Sequence, residues 1–132
     1  MKTMSYAALG LVMLGNGCGN TADVGRDFSS GVQVEWYSDG KKNVETNYTA
    51  QSQQVSNLVD MLKPLEGRWH ADFNSYAPRL MVRSASGNLN VLQAKLVVNR
   101  TRKGRSHQYS VSVSPELSKR IIDNLQSEAA AE

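Results

Sequence analysis

Apolar and polar residues first alternate over Val32 to Tyr37, where Val32, Val34 and Trp36 face one way and Gln33, Glu35 and Tyr37 the other. After Asp39-Gly40 the alternation resumes at Val44, Thr46 and Tyr48, which predicts a β-hairpin. A three-residue loop of Ser38, Asp39 and Gly40 would pair Val34 with Val44 and Val32 with Thr46, whereas a two-residue loop would set Val34 against Glu45. The first arrangement keeps the apolar residues on one face, so the pattern predicts a bulge with Gly40 left-handed. From Thr49 the period becomes helical: Val55, Leu58, Val59 and Leu62 stand at i, i+3, i+4 and i+7. Thr49 or Ser52 offers the cap and Pro64 closes the helix. Its apolar stripe predicts core packing, with Asp60 on the far side.

Arg79 to Ser84, Leu89 to Arg100 and Ser106 to Val113 read as three further strands. The second is long for a strand, which predicts a bulge or bend near Gln93-Ala94. Ser114-Pro115-Glu116 then supplies a cap, a first-turn proline and a first-turn acid for a second amphipathic helix carrying Leu117, Ile121, Ile122 and Leu125. The order β-β-α-β-β-β-α predicts an α+β two-layer domain: a largely antiparallel sheet of about five strands with two helices on one face. The domain is expected over residues 31–126, followed by a frayed tail at 127–132.

Composition changes this picture at the N-terminus. Met1 to Leu14 joins one Lys to an apolar run from Ala7 to Leu14. A basic start, a short apolar segment and small residues before a break read as a secretory signal, too short to span a bilayer. Gly15-Asn16-Gly17-Cys18 resembles the lipobox of bacterial lipoproteins, in which a Cys after small residues receives the lipid and becomes the new N-terminus. Gly17 before Cys18 fits that pattern, while Leu14 stands one place early and Gly15 and Asn16 depart from it. Cys18 is the sole cysteine of the chain, and an exported domain gains nothing from an unpaired thiol unless it is modified. The expectation is a signal peptide over 1–17, a lipidated Cys18 with a flexible tether over 18–30, and a protein anchored by its lipid and facing the periplasm or exterior. The general plan is similar to that of small exported lipoproteins of uncharacterised function.

The 132 residues carry 15 basic and 12 acidic side chains. Removal of residues 1–17 takes away only Lys2, leaving 14 against 12, so an anionic partner has to be argued from local clustering. The densest cluster is Arg100, Arg102, Lys103 and Arg105. At about 1 kcal/mol per cation near an anionic membrane these four would contribute roughly 4 kcal/mol, a millimolar affinity. That orients an anchored domain toward an anionic wall or lipid component. Export argues against nucleic acid.

Gly67 to Pro78 has neither period yet holds Trp69, His70, Phe73 and Tyr76, which marks it as a candidate partner-binding loop. His70 beside Asp72 suggests a base with its orienter, but no nucleophile motif accompanies them. Gly15, Gly17 and Gly19 mimic a phosphate loop without a preceding strand, and Ser38-Asp39-Gly40-Lys41 matches Ser-x-x-Lys on a hairpin tip. No metal-ligand spacing and no cofactor motif is present. The sequence therefore favours a non-catalytic envelope module that binds an envelope protein, ahead of an inhibitor or immunity-type protein and a small hydrolase.

Overall fold

The computed structural model describes residues 24–131, with side chains to residue 126. The expected signal peptide and Cys18 lie outside the described residues. The described chain is α+β, built as one antiparallel sheet with two helices. Its strands are β1 (Gly31–Ser38), β2 (Lys41–Thr49), β3 (His70–Ala71), β4 (Leu80–Ser84), β5 (Gly87–Val91), β6 (Lys95–Arg102) and β7 (Arg105–Ser112). Helix α1 spans Gln53–Leu62 and α2 spans Pro115–Ala131. The strand order is β2-β1-β4-β5-β6-β7-β3.

Seven strands stand where about five were expected, for two local reasons. The stretch read as one strand from Leu89 to Arg100 reverses at Leu92 to Lys95, where the Leu92 amide donates to the Lys95 carbonyl at 2.9 Å. It becomes β5 and β6, paired from Gly87↔Arg100 to Val91↔Leu96. Gly87 is required at this pairing, because a Cβ there would overlap the Asn99 carbonyl oxygen. The second addition is β3, two residues of the segment read as irregular, which pair with Ser110 and Tyr109.

The first hairpin also departs from its predicted register. Asp39 and Gly40 both have positive φ, 53° and 79°, forming a two-residue turn whose twist suits the flanking strands. A register shift between Trp36 and Tyr37 then inserts Asn43 as the extra residue. Trp36 faces Val44, Val34 faces Thr46 and Val32 faces Tyr48. The bulge restores the apolar residues to one face, as the hydrophobic pattern demands, but sits past the turn instead of within it.

Side-chain alternation gives the sheet two unlike faces. Val32, Val34, Leu80, Val82, Leu89, Val91, Leu96 and Val98 point inward and pack with Val55, Leu58 and Leu62 of α1 and Ile121, Ile122 and Leu125 of α2 in a single cluster. Ser52 caps α1, its hydroxyl accepting from the Val55 amide at 3.2 Å, and Ser114 caps α2 through the Leu117 amide at 3.1 Å. Helix α2 runs on to Ala131, beyond the point where a frayed tail was expected. The Ala and Glu content of that end favours helix.

Residues 24–30, expected as part of a tether, pack against the domain. Val24 and Phe28 are fully buried around a 3₁₀ turn over Gly25–Phe28, so these residues belong to the core and not to a tether. Two apolar side chains spaced by one turn anchor an otherwise polar segment.

Candidate functional site

The polar face of the sheet is where the irregular segment comes to rest. Strand β3 lies at the far edge beside β7, whereas β4 lies between β1 and β5. The chain from Asp72 to Arg79 therefore has to cross β7, β6 and β5, and it does so as a strap held by side chains of the strands beneath. The Gln108 amide donates to the Asp72 and Asn74 carbonyls at 3.0 and 2.7 Å. The Asn90 amide donates to the Ala77 carbonyl and accepts from the Arg79 amide, both at 3.0 Å. These are outward positions that alternation alone would assign to water.

Asp72 is the centre of the strap. Its carboxylate accepts from the Ser110 hydroxyl at 2.6 Å, the Tyr76 phenol at 2.7 Å, and the Asn74 backbone and side-chain amides at 2.9 and 3.0 Å. Lys95 stands 3.9 Å away and donates to the Tyr76 oxygen at 3.2 Å. The Ser110 hydroxyl above all, then the Asn74 amide and the Tyr76 phenol, hold the Asp72 carboxyl well below the usual carboxylate range. A carboxylate with this many donors is a fastening, not a proton acceptor. Its bond to Tyr76 also raises Lys95 above the ordinary lysine value.

Each candidate residue of the loop now has a definite place. Trp69 is 3% exposed and belongs to the core, so it is not available to a partner. His70 is exposed on β3, and among the described residues no hydrogen bond joins it to Asp72, so the base-and-orienter pair is not assembled. Tyr76 is half-buried with its oxygen committed to the strap. Phe73 is 94% exposed, immediately after the most tightly held residue of the loop. It borders a shallow hollow of about 390 Å3 shared with Asn74, His107 and Tyr109.

The basic hairpin divides as well. Arg102, Lys103 and Arg105 are exposed at the tip, where Lys103 and Gly104 take positive φ. Arg100, expected among them, is 3% exposed on the helix-covered face and pairs with Asp27 of the 3₁₀ turn at 2.7 Å. Arg100 and Arg102 share a face of β6, but only Arg100 lies far enough back from the tip to reach Asp27, and its charge is spent inside the protein.

A second polar cluster lies on β1 and β4. Glu35, 5% exposed, accepts from Arg83 at 2.8 Å and from the Tyr37 phenol at 3.0 Å, with Lys42 at 3.6 Å. Burial pushes the Glu35 carboxyl up, but the bonds from Arg83 and Tyr37 outweigh it and the net displacement is downward.

Sequence reasoning noticed Asp72 but missed Ser110, Gln108, Asn90 and Lys95, which hold the strap. The available signal was the run of amide and hydroxyl residues at outward positions of successive strands. Among the described residues no group of three His, Cys, Asp or Glu side chains gathers to hold a metal ion. No protein-family model, no curated protein and no solved structure matches the chain.

Proposed function

We propose that the chain is an exported cell-envelope protein, anchored by lipid on Cys18, that acts as a non-catalytic binding module through the strap on its polar sheet face. The observation that carries this reading is the contrast between Phe73, 94% exposed, and Asp72 beside it, whose carboxylate accepts four hydrogen bonds. A large apolar side chain in water is costly, and holding its backbone still removes the ordering cost of binding. An aromatic presented in this way suits an envelope protein with a complementary pocket. The exposed cations Arg102, Lys103 and Arg105 add roughly 3 kcal/mol near an anionic lipid or wall surface, which orients an anchored domain without holding a free one.

Among the described residues His70 makes no hydrogen bond to Asp72, and the Ser110 hydroxyl is one of four donors that saturate its carboxylate, which supports a binding role over hydrolysis. A pinned loop with one protruding aromatic also suits insertion into an enzyme cleft, the inhibitor or immunity-type alternative. Affinity purification of the full chain from envelope extract separates these outcomes. Phe73→Ala is expected to lose the captured partner while keeping its thermal midpoint; one stoichiometric enzyme among the captured proteins supports inhibition. Cys18→Ala is expected to move the protein out of the membrane fraction and to abolish labelling by palmitate, and retained label would reject the anchor.

A further inference from the structure

Beside the strap a second hollow of about 220 Å3 opens on the polar face, lined by Tyr37 and Tyr76, with Met81 and Val97 on the strands beneath. Arg83, Asn99 and Gln108 also line it, together with Pro78 and the strap-holding Asn90. Drug-sized and cofactor ligands occupy pockets of about 300–1,000 Å3, so this hollow admits a single small ring. The register places Arg83 opposite Asn88, Asn88 opposite Asn99 and Asn99 opposite Gln108. A row of side chains therefore runs across four strands at a spacing of about 4.8 Å.

Part of the hydrogen-bonding capacity of that row is unspent: on Asn99 and the Gln108 oxygen, which line the hollow, and on Asn88 beside them, which does not. Among the described residues the Asn99 side chain has no hydrogen-bond partner, and the Asn88 side-chain oxygen is buried without one. Gln108 uses its amide nitrogen on the strap and keeps its oxygen. The charges, by contrast, are already matched: Arg83 is paired with Glu35 at 2.8 Å and Lys95 with Tyr76 and Asp72. Both phenol oxygens are committed, Tyr37 to Glu35 and Tyr76 to Asp72, which fixes the two rings in place.

We infer that this hollow is a subsite for one ring of a neutral saccharide. A pyranose offers a C–H face to the tyrosine rings and a rim of hydroxyls that both donate and accept, as side-chain amides do. A peptide adding to the sheet needs a free strand edge, and the strands flooring the hollow are paired on both sides. A nucleotide needs an uncommitted cation for its phosphate, which the Arg83–Glu35 pair denies. The inference rests on the binding-module reading and names a ligand class for it.

The test is an NMR titration of the full 15N-labelled chain in a polyoxyethylene detergent with the tetramer of N-acetylglucosamine. The expected result is a saturable shift of the Asn99 and Gln108 side-chain amide signals, with a Kd of roughly 0.1 to 10 mM. Asn99→Ala, which breaks no internal hydrogen bond, should keep its thermal midpoint and weaken binding at least ~10-fold. Tyr37→Phe keeps the ring and should bind within about twofold of the parent protein. No shift at Asn99 and Gln108, or an equal response to tetra-alanine or adenosine, overturns the inference. Asn99 and Gln108 border the Phe73 hollow as well, whereas Phe73 does not line this one, so the titration is repeated on Phe73→Ala: an unchanged Kd keeps the sugar in this hollow and leaves the capture experiment independent, and lost binding overturns the inference.

Discussion

One sheet carries two faces that are held by different physics. The helix-covered face buries a continuous set of Val, Leu and Ile side chains, where cohesion is shared over many contacts and scales with area removed from water. The polar face holds its strap by a few directional bonds centred on Asp72. Stability should therefore reside on the first face and presentation on the second. Changes on the helix-covered face should alter folding, and changes on the strap should alter local order and recognition while the fold persists.

The largest expected effect comes from the Arg100–Asp27 pair buried on the helix-covered face. Arg100→Gln leaves Asp27, 12% exposed at its side chain, without its cation, and removing one partner of a buried pair costs about 3–5 kcal/mol. Urea unfolding should show the loss as a lowered midpoint; a change below ~1 kcal/mol would mean that water already screens the pair. Leu58→Ala or Leu62→Ala, both fully buried, should cost about 2–5 kcal/mol by the same measurement. An unchanged midpoint in both would place the α1 stripe outside the core.

That helix-covered face was largely legible in the sequence. The 3.6-residue spacing of Val55, Leu58 and Leu62 and the caps at Ser52 and Ser114 depend on neighbours in the chain, and short-range pattern captures them. Arg100 was misread because its partner Asp27 lies 73 residues away, whereas the cations that surround it in sequence are adjacent. Leu89 to Arg100 looked like one strand because Gln93-Ala94 reverses the chain without a Gly, Pro, Asn or Asp to announce it. The strap was illegible for a topological reason: only when β4 is placed between β1 and β5 must residues 72–79 cross the sheet, and only then do Asn90, Gln108 and Ser110 acquire their roles.

On the polar face the first expected effect is local. Asp72→Asn removes the charge that collects the donors of Ser110, Tyr76 and Asn74, so amide exchange at Asn74 should accelerate at least ~10-fold while the core amides stay protected. The pH dependence follows the sign of the shift. Because the folded carboxyl lies below its unfolded value of about 3.9, its contribution is complete above that value and is lost as pH falls toward the folded one. Thermal midpoints between about pH 5 and 8 should carry no trace of this group, and the acid decline should be shallower in Asp72→Asn. An identical acid profile in both proteins would contradict the fastening role.

The smallest effect on stability is expected at the hairpin tip. Arg102, Lys103 and Arg105 are exposed, and their replacement by Gln should move the unfolding midpoint by less than about 0.5 kcal/mol. Sedimentation with anionic vesicles at low salt then reports the tip alone. Weaker sedimentation of the triple variant, abolished for both proteins in high salt, supports an orienting role. Equal sedimentation would leave the tip as a charged guard against strand pairing.

The polar face, with Phe73 on it, is the surface proposed to meet a partner. Two large apolar side chains are exposed among the described residues, Phe73 at 94% and Val44 at 45%, and they stand on opposite faces of the molecule's logic: Phe73 on the strap, Val44 on edge strand β2. A photoreactive phenylalanine analogue placed at each position in living cells compares them directly. One discrete crosslinked species is expected from position 73 and none from position 44. Crosslinking from position 44 alone, or from neither, would contradict the proposal.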